Sequence, residues 1–241
     1  NCGTKCSQAI NKGFKFELIM NWQDEGYIIS KKKFRENALI LEVFTKNFGK
    51  VSGIVYGGTS RKIKNYLQIA NKIFVVFNSK SENKLGYFKT ELIEAISPKY
   101  FNDQKKTLCL NSLSSIIKIL LPENEVQKKI YDSVDIFFNK FEEKNWLLYY
   151  LNWEIDLIHD LGFGFSLDPK KFKEKKILNV KVDNIEYKIP TFIISKNFNE
   201  TNLQDISSGL SFSRNLMENK FFLPNNLRFP YSRKLLEEKI L

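Results

Sequence analysis

Three short apolar runs lie close together near the start of the chain, and their spacing constrains the fold more than any other feature. The runs are Tyr27–Ser30, Ala38–Thr45 and Val51–Tyr56. Within the second run, the side chains from Leu39 to Phe44 alternate with the period of two that is typical of a β-strand. The pattern predicts a curled antiparallel sheet in this part of the chain.

The segments that connect these runs are basic. Their cations lie at the predicted loops and strand ends, and they are Lys31, Lys32, Lys33, Arg35, Lys46, Lys50, Arg61, Lys62 and Lys64. A small curled sheet with cationic loops commonly holds a nucleic-acid backbone, because lysine and arginine neutralise phosphates. We therefore predict that these side chains contact DNA. Gly57 and Gly58 could let backbone N–H groups approach a phosphate, although a turn also needs glycine for its own geometry.

Two further strand patterns follow, over Gln68–Phe77 and Leu85–Ala95, and they predict a hairpin with a long polar loop. Glycines mark the expected bends of the sheet, at Gly49, Gly53, Gly57, Gly58 and Gly86. Five strands with such bends predict a small Greek-key barrel of the OB type over residues 20–97. From the pattern alone, an SH3-like barrel is the alternative.

After Pro98 the chain becomes helical, with apolar stripes at helical spacing. The stripes comprise Leu113, Ile116, Ile117, Leu120 and Leu121, then Val126, Ile130, Val134, Phe137, Phe138 and Phe141, then Trp146, Tyr150, Trp153, Leu157 and Leu161. Asn124 is the predicted cap of the second helix, and Thr201 or Asn202 that of a last helix. The predicted class is α+β: an OB barrel, then a mostly helical domain over 98–241 with a hairpin near 177–189. Residues 1–19 are expected to be an extension that is not native.

Charge is distributed unevenly along the chain. The formal net charge is +11, and basic residues outnumber acidic ones over 20–97 and 170–241, whereas 98–169 are net acidic. Such asymmetry favours a polyanionic partner; the alternative is a lysine-rich composition inherited from an AT-rich genome. The three cysteines form no disulfide framework. No apolar run reaches the length of a membrane span, so we expect a cytoplasmic protein without membrane contact.

Aromatic residues are interleaved with the cations, at Tyr27, Phe34, Phe48 and Tyr56. A ring that is exposed can stack under a base, which is worth about 1–3 kcal/mol. We expect Tyr27 and Phe44 to lie in the core. Phe34 and Phe48 stand beside predicted turns, and we expect both to be exposed.

The sequence offers no recognisable catalytic set. It contains no G-x-x-x-x-G-K-[ST] loop and no Cys/His arrangement for catalysis. Asp156 and Asp160 lie one helical turn apart, but no further carboxylates complete a two-metal site. His159 is the only histidine, and Cys2 and Cys6 lack a second pair of zinc ligands. We therefore predict a protein that is not an enzyme and holds no metal.

Three segments carry a more specific pattern. The first, Trp22–Lys62, contains E-G and I-S, a basic loop, and F-T before a glycine-rich basic turn. The second, Trp153–Asp168, reads WEIDLIHDLGFGFSLD, and the third, Ile206–Pro224, reads ISSGLSFSRNLMENKFFLP. In this order the segments resemble the bacterial recombination mediator family RecO, over roughly residues 21–236.

The resemblance implies an N-terminal OB domain, a helical C-terminal domain and no enzymatic turnover. It also implies binding of single- and double-stranded DNA, annealing of complementary strands, and contacts with RecR and with the acidic C-terminal tail of the single-strand-binding protein SSB. Through these partners such proteins help to load RecA at the nucleoid. Many relatives carry a four-cysteine zinc site after the L-D motif, but Asp168–Lys176 contains no cysteine. We expect the zinc site to be lost, with the 177–189 hairpin supplying order in its place.

The residues alone do not identify the surface that would receive a protein partner. An acidic peptide with an apolar end needs an apolar pocket rimmed by cations, and the run Lys170–Lys176 could form such a rim or a solvated loop. We predict a non-enzymatic mediator of DNA repair after DNA damage and of homologous recombination in the RecFOR pathway. The alternative is a protein-interaction adaptor that binds polyanions only incidentally.

Overall fold

The computed structural model describes residues 20–79, 85–163, 176–182, 185–195 and 201–240. The first elements are β1 (Met20–Arg35), β2 (Ala38–Thr45), β3 (Gly49–Tyr56), α1 (Arg61–Tyr66), β4 (Lys72–Ser79) and β5 (Gly86–Glu94). After a 3₁₀ turn come α2 (Gln104–Leu120), α3 (Lys128–Lys140), α4 (Trp146–Ile158), β6 (Ile177–Val182), β7 (Ile185–Pro190), α5 (Thr191–Ser195), α6 (Leu203–Met217) and α7 (Tyr231–Ile240). The predicted extension over 1–19 lies outside the described residues, as does the Lys170–Lys176 run except for Lys176.

The five N-terminal strands close into a barrel in the order β1-β2-β3-β5-β4. β1 pairs with β4 along its first half and with β2 along its second half, antiparallel in both cases. β3 and β5 run parallel and meet at the pairs Gly53–Gly86 and Ile54–Tyr87. The barrel and the helices that follow it confirm the predicted α+β class with an N-terminal OB-type barrel.

Two local predictions in the barrel were wrong. β1 is 16 residues long, whereas its apolar pattern predicted only Tyr27–Ser30, because the polar residues at its ends are held by pairing with β4 and β2. The segment that follows β3 was predicted to be a basic connecting segment, but it forms the helix α1. Its apolar residues Ile63 and, at its C-cap, Leu67 pack against the barrel core, so that α1 closes one end of the barrel.

One wall of the barrel also serves as a wall of the helical core. The barrel interior contains Ile28, Leu39, Leu41, Val43, Val51, Val55, Leu67, Ile73, Val75, Phe77 and Phe88. Tyr27 and Phe44 instead join the core formed by the helices. The ring of Tyr27 packs on Tyr131 and Phe138 of α3, and its hydroxyl donates a hydrogen bond to Asp135. The prediction that Tyr27 and Phe44 are core residues is confirmed.

The turn between β2 and β3 packs against the segment that links α2 to α3. Asn124 donates its backbone N–H to the carbonyl of Lys50 over 2.9 Å. Asn124 was predicted to cap a helix, and this was wrong, since α3 begins at Lys128. Gly49 adopts a φ of 70°, and a Cβ there would fall on the backbone of Glu125. At this end of the barrel, the backbone of the β2–β3 turn is therefore in direct contact with the backbone of the segment that links α2 to α3.

The last helix is joined to the others by a buried ion pair. Arg233 of α7 has a relative exposure of 0%, and its guanidinium donates to Glu154 of α4 over 2.5 and 3.0 Å. It also donates to Glu237 over 3.1 Å and to the carbonyl of Leu210 in α6 over 2.8 Å. The carboxylate of Glu154 is thus the counter-ion of a buried arginine. Asn202 caps α6 in a reciprocal pair of hydrogen bonds with Asp205, as one of the two predicted caps.

Candidate nucleic-acid interface

Most of the predicted cations lie at one end of the barrel, on β1 and α1. We call this surface the basic end, and it comprises Lys31, Lys32, Lys33, Arg35, Arg61, Lys62 and Lys64. These residues were predicted to lie at loops or strand ends: Arg35 is the last residue of β1, whereas the α1 cations lie in a helix. The β1 cations pair with Ala38–Leu41 of β2, and the α1 cations are helical. Regular backbone hydrogen bonding therefore fixes the spacing of the side chains.

An open cleft of about 390 Å³ lies within the basic end. Its lining consists of Lys31, Lys32, Lys33, Glu36, Leu39, Gly58, Thr59 and Lys64, so that one carboxylate faces four ammonium groups. Gly57 turns the chain into the cleft with a φ of 69°. Its own N–H donates to the carbonyl of Asn37 over 2.6 Å, so this predicted phosphate donor is already used. Gly58, by contrast, lines the cleft.

Lys31 is the anchored cation of the cleft. Its Nζ donates to the carbonyl of Leu67 and to Oε1 of Gln68, over 2.7 Å in each case. An ammonium group has three donors, so one remains for an anion. Burial, and after it the charge of Lys64, lowers the pKa of Lys31. An anion bound between these two ammonium groups would offset their repulsion.

The remaining cations of the basic end are exposed. Lys32, Lys33, Arg61, Lys62 and Lys64 form no ion pair with any residue of the described ranges. The guanidinium of Arg35 lies 5.1 Å from the ring centroid of Phe34. Phe34 is itself 42% exposed, as predicted. These cations keep their capacity to bind a polyanion.

Lys46 and Lys50 are not part of the basic end. They lie where β2 turns into β3, and the length of β3, about 20 Å at 3.3 Å per residue, separates them from Tyr56 at the other end. Lys46 forms a loose ion pair with Glu25 over 3.9 Å. Lys50 is 8% exposed, and its Nζ donates to the carbonyl of Lys118 over 2.7 Å. The structure therefore does not bring these two predicted DNA contacts together with the rest.

The aromatic residues divide in a way that the sequence only partly predicts. Phe48 was expected to be exposed, and this was wrong, because its ring stacks on Trp22 with centroids 4.1 Å apart. Tyr56 is 62% exposed and Tyr87 of β5 is 36% exposed. Sequence analysis did not single out Tyr87, since only the parallel pairing of β3 with β5 brings it beside Tyr56. The position of Tyr87 just after the predicted polar loop does not by itself indicate that its ring is exposed.

The described residues present no alternative site with the geometry of a metal centre. No group of His, Cys, Asp and Glu among them could hold a metal ion. The side chain of His159 is 74% exposed, and Cys109 is buried. The Asp168–Lys176 stretch, where we expect a zinc site to be lost, lies outside the described residues except for Lys176. No described helix has the length and apolar character to cross a membrane.

Comparison with known sequences gives two matches to family models. The model described as Recombination protein O N terminal matches residues 20–96. The model described as Recombination protein O C terminal matches residues 102–201. The first match contains the barrel and its basic end, and the second contains α2, α3 and α4 together with the hairpin.

Several similar proteins carry the name DNA repair protein RecO. The one from Ehrlichia chaffeensis is 37% identical, but the match spans 61% of each chain. The one from a Wolbachia of Drosophila simulans is 31% identical over 90% of this chain and 99% of its own. Among solved structures, an asparaginyl-tRNA synthetase from Entamoeba histolytica aligns at 8% identity over 87% of this chain and 59% of that one, with a TM-score of 0.28 that is too low to indicate a common fold. The two family matches and the nearly full-length similarity to the Wolbachia protein show that the chain belongs to the RecO family.

Proposed function

We propose that this chain is a non-enzymatic mediator of DNA repair and recombination, and that its basic end holds single- and double-stranded DNA by the phosphate backbone. The observation that carries the proposal is the convergence of exposed cations from β1 and α1 on one cleft. Membership of the RecO family supports the role in repair and recombination. Because contacts with phosphate carry no sequence information, we expect binding that is independent of base sequence.

Annealing of complementary strands follows from the same surface. Two strands repel each other through their phosphates, and a cationic surface that contacts both reduces this repulsion. The basic end presents cations on two elements, so it offers more than one line of phosphate contacts. We propose that annealing occurs there without nucleotide hydrolysis.

The protein partners proposed for the chain are RecR and the acidic C-terminal tail of SSB, and through them RecA. Family membership supports these partners and a place at the nucleoid in the cytoplasm. We further propose that the chain works without zinc, since Asp168–Lys176 contains no cysteine. Metal analysis of the purified protein would test this point, and one zinc per chain would contradict it.

The test of DNA binding is a salt titration followed by fluorescence anisotropy of single-stranded and duplex oligonucleotides. The variant carries Lys31, Lys32, Lys33 and Arg35 changed to Ala. We expect its binding to weaken strongly and its logarithmic salt dependence to become shallower by about 0.7 for each single-strand phosphate that is no longer neutralised. The matched control removes the same charge from the helical part, with Lys105, Lys128, Lys129 and Lys144 changed to Ala, all of which are exposed.

The control decides how a loss of affinity is interpreted. If both variants lose affinity to the same extent, the effect reflects net charge rather than the basic end. If neither variant loses affinity, the DNA site lies elsewhere on the chain. If the unaltered protein fails to bind oligonucleotides at low salt, the mediator proposal is wrong and the adaptor alternative, with protein partners only, is favoured.

A further inference from the structure

The outer face of the barrel next to the basic end carries a pair of exposed aromatic rings. Tyr56 at the end of β3 is 62% exposed and Tyr87 on β5 is 36% exposed. Their ring centroids are 6.3 Å apart and their planes are inclined by 54°. Large exposed rings that lie together on a sheet are a costly surface to leave in water, and they often mark a binding site.

The strand register places these rings on the same face as two cations. Lys32 pairs with Ile40, Ile40 with Ile54, and Ile54 with Tyr87. One row further along, Arg35 pairs with Ala38 and Ala38 with Tyr56. Directly opposed residues of neighbouring strands share a face, and the strands are about 4.8 Å apart. The backbones of Arg35 and Tyr56 are therefore about 10 Å apart across one face.

The positions between the cations and the rings are apolar. Ala38 is buried, and Ile40 and Ile54 are half-buried, so no charged side chain from these positions lies between the two edges. The carboxylate of Glu42, in the next row, is held by Lys118 over 2.8 Å. A strand bound across this face would thus place its phosphates beside the cations and its bases beside the two rings.

We propose that unstacked nucleobases of single-stranded nucleic acid bind on Tyr56 and Tyr87 while the basic end holds the phosphates. The inference rests on the proposed function and divides its site into two subsites. The cations serve single strands and duplexes alike, whereas the rings serve single strands only, because the base faces of a duplex are stacked on each other. Stacking strengthens binding by between about fivefold and about 140-fold for each base.

This division has a consequence for annealing. A ring that stacks on a base covers the face of the base and leaves its Watson–Crick edge free. A strand held in this way displays its pairing edges to a second strand. The tyrosine subsite would therefore present one strand in a conformation that can pair, which a phosphate site alone does not do.

The experiment compares single-stranded and duplex oligonucleotides with a protein in which Tyr56→Ala and Tyr87→Ala are combined. We expect single-strand affinity to fall at least about tenfold and duplex affinity to change by less than about twofold. The salt dependence should stay unchanged, since every cation that meets a phosphate is still present. The combination of Tyr56→Phe with Tyr87→Phe keeps the rings and should bind as the unaltered protein does.

Two further comparisons keep the outcome interpretable. Phe101→Ala with Tyr231→Ala removes two exposed rings elsewhere, which are 64% and 72% exposed, and should leave affinity unchanged. The unaltered protein should bind an oligonucleotide with abasic sites as weakly as the alanine variant binds an intact one. Equal losses for single strands and duplexes, or no loss, would overturn the tyrosine subsite. If binding depends on the basic-end cations but not on the tyrosines, only this inference fails; if it depends on neither, the proposed function fails as well.

Discussion

At one end of the barrel, β1 and α1 present lysines and arginines to solvent around an open cleft. At the other end, where the barrel meets the helices, two lysines are turned inward. Lys72 is held between Asp135 and Glu25 over 3.1 and 3.4 Å, and Lys50 reaches a helix carbonyl. The two ends share a residue type and a position near strand ends, but Lys50 and Lys72 are held by protein groups, whereas the basic end leaves most of its charges available to a polyanion.

The environment of Lys50 shows why this lysine is structural. The carbonyl of Lys118 lies in the last turn of α2, where the donor one turn further along would be the N–H of residue 122. That residue is Pro122, which has no N–H. The ammonium of Lys50 supplies the missing donor over 2.7 Å, at the helix end where a positive charge is favourable. Burial in this setting lowers the pKa of Lys50.

Alanine substitution of two glycines, one at each end, is expected to give the largest difference in stability between the two ends. Gly49 and Gly57 have φ values of 70° and 69°, so Ala strains the backbone equally at both. At Gly49 a Cβ would also fall on the backbone of Glu125, whereas at Gly57 the nearest atom is the Cδ1 of Ile63 at 3.9 Å. We expect Gly57→Ala to cost about 1–2 kcal/mol of unfolding free energy and Gly49→Ala about 2–5 kcal/mol.

Urea unfolding followed by circular dichroism measures both losses. Equal losses would mean that the β2–β3 turn moves away from the α2–α3 link at little cost, and that this end is not rigidly packed. A larger loss for Gly57→Ala would reverse the comparison. The circular dichroism spectrum of each variant before urea is added is the check that folded protein is being compared.

Sequence patterns predicted the barrel and the helices because both depend on local periodicity of apolar residues. The strands β2 and β3 follow directly from alternation. The core positions of Tyr27 and Phe44 were predicted as well, but both side chains are buried by the helices and not in the barrel interior. The helix α1 was missed, since RKIKNY is too short and too polar for a helical stripe to be recognised. It is stabilised as a helix by packing of Ile63 on the barrel, which is a tertiary contact.

Charge gave less information than periodicity. From sequence, a lysine beside a strand end is predicted to contact DNA whether its side chain faces solvent or a helix. Only the packing of α2 and the α2–α3 link against β3 shows that Lys50, unlike Lys33, is held by the protein. The role of Arg233 is likewise not evident from its charge. It lies near the end of the sequence, and only the packing of the helices makes it the buried partner of Glu154. Tyr87 became recognisable only through the parallel β3–β5 pairing, which joins strands distant in sequence.

The variants Lys50→Met and Lys33→Met sharpen the comparison with an equal loss of charge. Lys50→Met leaves the Lys118 carbonyl without its donor, so we expect about 1–3 kcal/mol of destabilisation. Lys33 is exposed, and Lys33→Met should change stability by less than about 0.5 kcal/mol. For DNA the order is reversed: Lys33→Met should reduce affinity and make the single-strand salt dependence shallower by about 0.7, whereas Lys50→Met should not. If Lys50→Met weakens DNA binding while the protein remains folded, the end of the barrel that meets the helices also contacts DNA.

The smallest effects separate two lysines, Lys46 and Lys62, that sequence alone treats as equivalent. Lys46 forms an ion pair with Glu25 over 3.9 Å with 39% of its side chain exposed, and such pairs contribute less than about 1 kcal/mol. Lys62 belongs to the basic end and has no ion-pair partner among the described residues. We expect Lys46→Ala and Lys62→Ala to leave the unfolding free energy within about 0.5 kcal/mol of the unaltered protein. Only Lys62→Ala should make the single-strand salt dependence shallower, by about 0.7 if Lys62 neutralises one phosphate. An equal change for Lys46→Ala would extend the DNA site along the barrel to the β2–β3 turn, because the two variants remove the same charge and differ only in the end of the barrel from which it is removed.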